Sequence, residues 1–294
     1  MGRKRALYQI WKYSFSLFLS SFALFIGGCN TSSNTQFISF SAPNTQIGNL
    51  EAQCLKGDGR KCLKIGEIYY WGKGISPQKE KGAQFWEEGC KKGNGVSCVL
   101  EGILYWRGEP FSQDKELALH LFGEGCKKGS GWGCVMEGIG LSKMGEKNRE
   151  KINNLFQEGC KKGALIGCWL EEPEKEGSKR DPQPLLKDAL FSLQKGAVEK
   201  AKGKGEKLCG DKNGKGCILV ATLLLWGVGK EWDPDRGVKL YRQSCYDFRN
   251  GDGCYLLGKL YSEGIWVEEN YWRVLHLFRR GCKLNSPFAC KELP

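Results

Sequence analysis

The chain has 294 residues, with 45 Lys and Arg against 33 Asp and Glu, a formal net charge of +12, fifteen cysteines and two histidines. It is too long to be a scaffold held by disulfides alone and short enough for one elongated repeat domain. So many cysteines in a basic, rather polar chain point to an oxidising compartment. With two histidines and no zinc-type cysteine spacing, a metal centre is not expected, and no cofactor motif is present.

The N-terminus opens with the basic run Gly2-Arg-Lys-Arg5, followed by a short apolar core from Phe15 to Ile26 and then Gly-Gly-Cys29. This is the pattern of a bacterial export signal, too short for a clear membrane span. The small residues before Cys29 resemble a lipobox, which makes residues 1–28 a lipoprotein-type signal peptide and Cys29 the lipidation site. An ordinary signal with a chance cysteine, or an uncleaved anchor, stays open. Removing residues 1–28 takes away four basic residues and leaves a net charge of +8. Residues 29–46 are uncharged and rich in Ser, Asn and Thr, and read as a flexible tether.

From residue 47 onward the cysteines fall in pairs. Within Glu88-Gly-Cys-Lys-Lys-Gly-Asn-Gly-Val-Ser-Cys98, an unbroken helix would hold Cys90 and Cys98 about 12 Å apart. A disulfide needs Cα atoms about 4.4–6.8 Å apart, so the helix must break between them, and Gly93 permits the left-handed turn that does so. The same corner recurs at Cys54/Cys62, Cys126/Cys134, Cys160/Cys168, Cys209/Cys217, Cys245/Cys254 and Cys282/Cys290. The first cysteines step by 36, 36, 34, 49, 36 and 37 residues, a period typical of stacked helix pairs. Repeat symmetry therefore pairs each cysteine with its neighbour, giving seven disulfides.

Each unit reads as a helix A opening at the second cysteine and a helix B closing at the next first cysteine. Four residues into helix A stands Gly66, Gly102, Gly138, Ala221 or Gly258, and three further on Tyr69, Tyr105, Leu141, Leu224 or Tyr261. Helix B carries a large residue four before its cysteine: Trp86, Phe122, Phe156, Tyr241 or Phe278. This is core patterning at helical spacing. The unit from Cys168 to Cys209 departs from it. Pro173 interrupts helix A, Pro182 and Pro184 follow, and about a dozen extra Lys- and Gly-rich residues fall at 197–209, either as an extension of helix B or as an irregular basic loop, which the glycines favour.

The Gly-x-x-Tyr-x-x-Gly units with their small-Cys pairs resemble the Sel1-like repeat, and the cysteine pair in each unit is similar to the Helicobacter cysteine-rich protein family. The resemblance covers nearly all of residues 47–294. It implies an all-α, right-handed superhelical solenoid of disulfide-crosslinked, TPR-like αα repeats, about six helix pairs in all. It also implies a secreted or periplasmic protein, a monomer, that recognises a protein or peptide on its concave face. Some members bind β-lactams and carry a β-lactamase label. A β-lactam-binding protein, or a slow hydrolase of cyclic amides acting on peptidoglycan-like fragments, is therefore the alternative reading, with no catalytic residues assigned. A membrane is expected only through a lipid anchor, and an exported chain argues against nucleic acid.

If helix A lines the concave side, Glu67, Tyr70, Glu101, Trp106, Glu137 and Trp226 are its candidate contact residues, of types found in binding hot spots. The tryptophans and Tyr70 serve equally well to plug the hairpins, since they have large apolar area to bury. Ser76-Pro-Gln-Lys79, Ser112-Gln-Asp-Lys115 and Ser192-Leu-Gln-Lys195 each match the Ser-x-x-Lys nucleophile motif, yet no Ser-Asp-Asn or Lys-Thr-Gly partner exists. Ser76 and Ser112 fall at the start of helix B, where helix capping explains them, as it does Asp233 and Asn270. His120 and His276 are too far apart to form a site and read as packing or surface residues. Lys91-Lys92, Lys127-Lys128 and Lys161-Lys162 repeat beside the corners, either as a basic ridge for acidic partners or as cations favoured at helix C-termini.

Overall fold

A computed structural model describes residues 43–171 and 184–293. The signal peptide, Cys29, most of the tether, Pro173 and Pro182 lie outside the described residues. The described chain is helical, with no strand among the described residues: α1 (Pro43–Leu55), α2 (Gly59–Trp71), α3 (Lys79–Lys91), α4 (Gly95–Arg107), α5 (Lys115–Lys127), α6 (Gly131–Lys143), α7 (Arg149–Lys161), α8 (Leu165–Leu170), α9 (Pro184–Gln194), α10 (Val198–Gly210), α11 (Gly214–Leu225), α12 (Pro234–Tyr246), α13 (Gly251–Glu263), α14 (Tyr271–Lys283) and α15 (Pro287–Lys291). The first helix begins inside the stretch read as tether. Each helix packs on the next in sequence, which makes the chain a solenoid of A/B pairs.

All seven corners are closed by disulfides: Cys54–Cys62, Cys90–Cys98, Cys126–Cys134, Cys160–Cys168, Cys209–Cys217, Cys245–Cys254 and Cys282–Cys290, with Cα atoms 4.5–4.7 Å apart. The sequence reading opened helix A at the second cysteine of each pair, and here the structure corrects it. The helix opens three residues earlier, so Cys62, Cys98, Cys134, Cys168, Cys217, Cys254 and Cys290 each complete its first turn. The cause is the cap. Asp58, Asn94, Asn213, Asn250 and Ser286, four positions before their cysteines, each accept from a backbone N–H of that turn. Cys62, Cys98, Cys134, Cys217 and Cys254 are thereby fully buried. Cys290 is exposed, because α15 is the last described helix and no further unit covers it.

At the second corner Gly93 turns left-handed (φ 85°), and Gly93 N and Asn94 N donate back to Cys90 O and Gly89 O. Asn94 then caps α4 by accepting from Ser97 N. Helix end, turn and next helix start are thus one hydrogen-bonded unit, with the disulfide across it.

The small and large positions of helices A and B meet as a lock. A Cβ at Gly66, Gly102, Gly138 or Gly258 would stand 2.4–2.7 Å from the ring of Trp86, Phe122, Phe156 or Phe278 respectively. Only the absence of a side chain lets each ring seat against the helix A backbone. In the fifth pair Ala221 replaces the glycine, and the Tyr241 hydroxyl instead reaches Thr222 at 2.7 Å.

The unit between Cys168 and Cys209 is built differently from the sequence expectation. Residues 198–210 are not a loop but helix α10, which occupies the B position and ends at Cys209. The extra chain lies between α8 and α9, which share the A position. Gly196 (φ 72°) makes the A-to-B turn, as Gly108 and Gly264 do in regular units. Two of the four lysines of α10 are matched: Lys204 pairs with Asp188 at 2.5 Å and Lys202 with Glu231. Its glycine at the lock position, Gly205, lies against Leu219 and Val220 of α11, and the bulk comes instead from buried Leu186, Leu190 and Leu193 of α9.

Candidate binding surfaces

The inner face is where sequence reasoning placed the contact residues, and for four of the six the structure corrects that placement. Tyr70, Trp106 and Trp226 are buried, and Glu67 is fully buried. The inside of the solenoid is narrow enough for early and late units to touch across it. Trp266 N donates to Glu67 Oε1 at 3.2 Å, although the residues are 199 positions apart. Arg107 donates to Gly229 O and Lys230 O, and Trp132 stacks on Trp226. Trp71, Trp232 and Trp266, which the sequence analysis did not single out, pack edge to face on one another. Together with Tyr70 and Trp86 they form an aromatic plug at the helix A C-termini, so large apolar area goes to packing rather than to a partner. Burial pushes the Glu67 carboxyl above the ordinary range, opposed mainly by Lys73, whose ammonium lies 3.2 Å away. Trp71, Trp232 and Trp266 sit in or beside the loops between helices A and B, the one sequence signal that was available.

Below the plug, at the helix A N-termini, the inside stays open as a well of about 320 Å³. That falls at the lower end of small-ligand pockets. It is lined by Arg60, Asn94, Ser130, Trp132, Lys162 and Lys259, among others. Ser130 is only 7% exposed, and its hydroxyl makes no hydrogen bond among the described residues. It stands at the N-cap of α6 without capping it. Glu263 also borders the well. Surrounding protein raises its carboxyl above the ordinary range, opposed by Lys259.

Glu101 and Glu137 face the other way, into the outer grooves between successive B helices. Burial, with the charge of Glu87 adding to it, pushes the Glu101 carboxyl up to about 7. Glu137 borders a depression of about 390 Å³ together with Asn148 and Lys151. Its carboxyl is likewise raised by burial, against Lys151 and Lys127. Residues predicted as one face thus divide between two.

The lysine ridge is largely neutralised. Lys92, Lys128 and Lys162 each pair with the glutamate one turn earlier at 2.7–2.9 Å, and Lys162 also donates to Cys126 O of the preceding corner. Ser76 and Ser112 are exposed loop residues rather than caps. The helix starts two positions later, at Gln78 and at Asp114, which accepts from Leu117 N. Asp233 and Asn270 do cap, accepting from Arg236 N and Arg273 N. The Ser192 hydroxyl donates to Asp188 O and accepts from Lys204, itself held by Asp188, so no Ser-x-x-Lys pair is assembled as nucleophile and base. His120 and His276 are exposed and far apart in the stack.

The Sel1 repeat family model matches residues 62–94, 102–130, 214–247 and 251–286, leaving the region of the split unit unmatched. Among solved structures the chain is similar to a protective antigen of uropathogenic Escherichia coli displaying an SLR fold. Identity is 16%, over 85% of this chain and 53% of that one, with a TM-score of 0.41. The chain thus spans about half the length of that antigen. It is also similar to a Sel1 repeat protein from Oxalobacter formigenes (14% identity, 85% and 83% covered, TM-score 0.38) and to one from Klebsiella pneumoniae (15%, 84% and 96%, TM-score 0.29). No curated protein matches the chain. The four matched stretches, with the repeated corner and the all-helical stack, show that this chain carries Sel1 repeats.

Proposed function

We propose that the protein is an exported scaffold, secreted or periplasmic and tethered through Cys29, that binds segments of protein partners on preformed surfaces. The observation that carries this reading is the set of seven closed corners: every junction between a described B helix and the helix after it is fixed by a disulfide. Such a stack belongs in a non-reducing compartment. Its rigidity lowers the ordering cost of binding. Among the described residues no helix is long and apolar enough to cross a membrane. With the aromatic plug closing much of the inner face, the well remains there for a side chain or chain end of a partner.

The test is panning of displayed peptides against the oxidised protein. Enriched peptides are expected to lose binding after reduction and alkylation. Exposed Arg60, which borders the well, is expected to weaken that binding when changed to Glu. No enrichment over a disulfide-free control overturns the reading. Intact mass spectrometry of the mature protein reads the lipid on Cys29 in the same preparation. Incubation with labelled penicillin tests the β-lactam alternative, for which resemblance is the only support; a stoichiometric adduct would replace the scaffold reading.

A further inference from the structure

Two of the outer grooves share an acid–cation pair, and the last unit has two cations in its place. Three residues before the first cysteine of a corner, helix B points a side chain at position seven after the second cysteine. It also points at a cation nine residues before the following first cysteine. In the first unit these are Glu51, Tyr69 and Lys81. The Tyr69 hydroxyl donates to Glu51 Oε1 at 2.7 Å, while Lys81 Nζ lies 2.9 Å from Glu51 Oε1 and donates to Tyr69 Oη at 2.7 Å. In the fifth pair the acid and cation are Glu206 and Arg236, 3.2 Å apart.

In the last pair the same positions are Arg242, Tyr261 and Arg273. Arg242 Nη2 and Arg273 Nη1 both donate to Tyr261 Oη, each at 2.9 Å. Among the described residues no carboxylate lies within ion-pair distance of either guanidinium. Tyr261 is 5% exposed, and its own hydroxyl proton has no acceptor there. Two cations and one phenol donor therefore converge where the first and fifth pairs hold a glutamate. They border an open depression of about 440 Å³ with Tyr246, Trp272 and His276. Trp272 is 77% exposed and its neighbour Tyr271 69%, large apolar surfaces that no described element covers.

We propose that this groove binds an acidic segment of a protein partner, one carboxylate entering between Arg242 and Arg273 and an adjacent apolar side chain covering Trp272. A carboxylate is the ligand this arrangement holds twice within the chain itself. Guanidiniums grip it through charge-assisted bonds, and Trp, Tyr and Arg together have the composition of an interface hot spot. The inference deepens the scaffold reading by naming a surface and a ligand chemistry, and it does not depend on the inner well.

The test is calorimetric titration of the oxidised full chain with a blocked Leu-Glu-Glu-Leu tetrapeptide and its Gln counterpart. Saturable one-to-one binding of the Glu peptide alone is expected. Arg242→Gln weakens it about tenfold or more, and Trp272→Ala weakens it by a smaller factor. Arg242→Glu restores the acid seen at Glu51, so binding is lost while the thermal midpoint holds or rises, which separates loss of the site from loss of the fold. Absence of binding at millimolar peptide, or unchanged binding by Arg242→Glu, overturns the proposal. So does equal displacement by inorganic phosphate, or tighter binding to phosphatidylglycerol vesicles than to the peptide. If the Glu peptide fails to bind while panned peptides are still retained by the oxidised chain, the groove assignment fails and the scaffold reading stands.

Discussion

The second pair, α4–α5, and the split unit, α8 to α10, solve the same packing problem with opposite residues. In α4–α5 the small residue is on helix A and the large one on helix B: Phe122 seats on Gly102. In the split unit helix B has Gly205 at the lock and Leu208 beside the cysteine, where a Cβ on Gly216 would come within 2.3 Å of Leu208 Cβ. The large residues come instead from α9. Helix A can therefore be cut and rejoined, provided that the volume on its two sides stays complementary and the corner keeps its geometry. Close packing constrains the sum of facing side chains more than either helix alone.

The largest effect is expected where the lock is strongest. Phe122→Ala should cost about 3–5 kcal/mol in chemical denaturation, because the ring is fully buried. Gly205→Ala should be close to neutral. Its new Cβ would meet chiefly the movable ends of Val220 at 2.9 Å and Leu219 at 3.3 Å, and the helix gains about 1 kcal/mol from alanine. A large loss at Gly205 would mean that the split unit holds the same lock after all.

Next come the corners. Replacing Cys126 and Cys134 by Ser should cost about 2–3 kcal/mol on chain-entropy grounds but leave α6 protected against hydrogen exchange, since Phe156 still locks it through Gly138. Replacing Cys160 and Cys168 should cost a similar amount and also free the six-residue α8, seen as rapid exchange over residues 165–170.

A pH response separates the two units as well. The Glu101 carboxyl is raised to about 7 in the folded chain, chiefly by burial. Its neutral form favours folding, so its contribution is complete below about pH 4.5, the ordinary value, and is lost as pH rises through about 7. Glu101→Gln should therefore flatten the fall in thermal midpoint between pH 5 and pH 8. An identical fall in the variant would assign the response elsewhere.

The smallest effect concerns the turn residue of the corner. Gly93 turns left-handed freely, whereas Lys212, at the exit of the split unit, is held at φ 61°. A side chain there costs about 1 kcal/mol, so Lys212→Gly should stabilise by up to that amount, and Gly93→Ala should destabilise by about as much. Equal and negligible effects would show that the disulfide alone fixes the turn.

Much of this was open to inspection in the sequence because it is local. Disulfide, capping residue and turn glycine lie within nine residues of one another. The Gly and aromatic positions lie about twenty residues apart on helices joined by one loop, so periodicity reveals them. The register of the split unit was not legible. Gly196 looks like the small residue before a B-helix cysteine as much as like an A-helix terminator, and lysines with glycines at 198–210 look like a loop until Asp188 and Glu231 pair with them.

What the sequence determined by itself is the repeat: where helices stop, which cysteines pair, and which side chains lock neighbours. What only the tertiary structure decided is how tightly the stack winds, and with it the fate of the inner face. Small rotations between repeats accumulate over six units until Trp266 reaches Glu67 across 199 residues. No local pattern records that sum. The same limit hid the outer groove of the last unit: Arg242 and Arg273 are 31 positions apart, and that they share one phenol, with no acid between them, is a fact of packing alone.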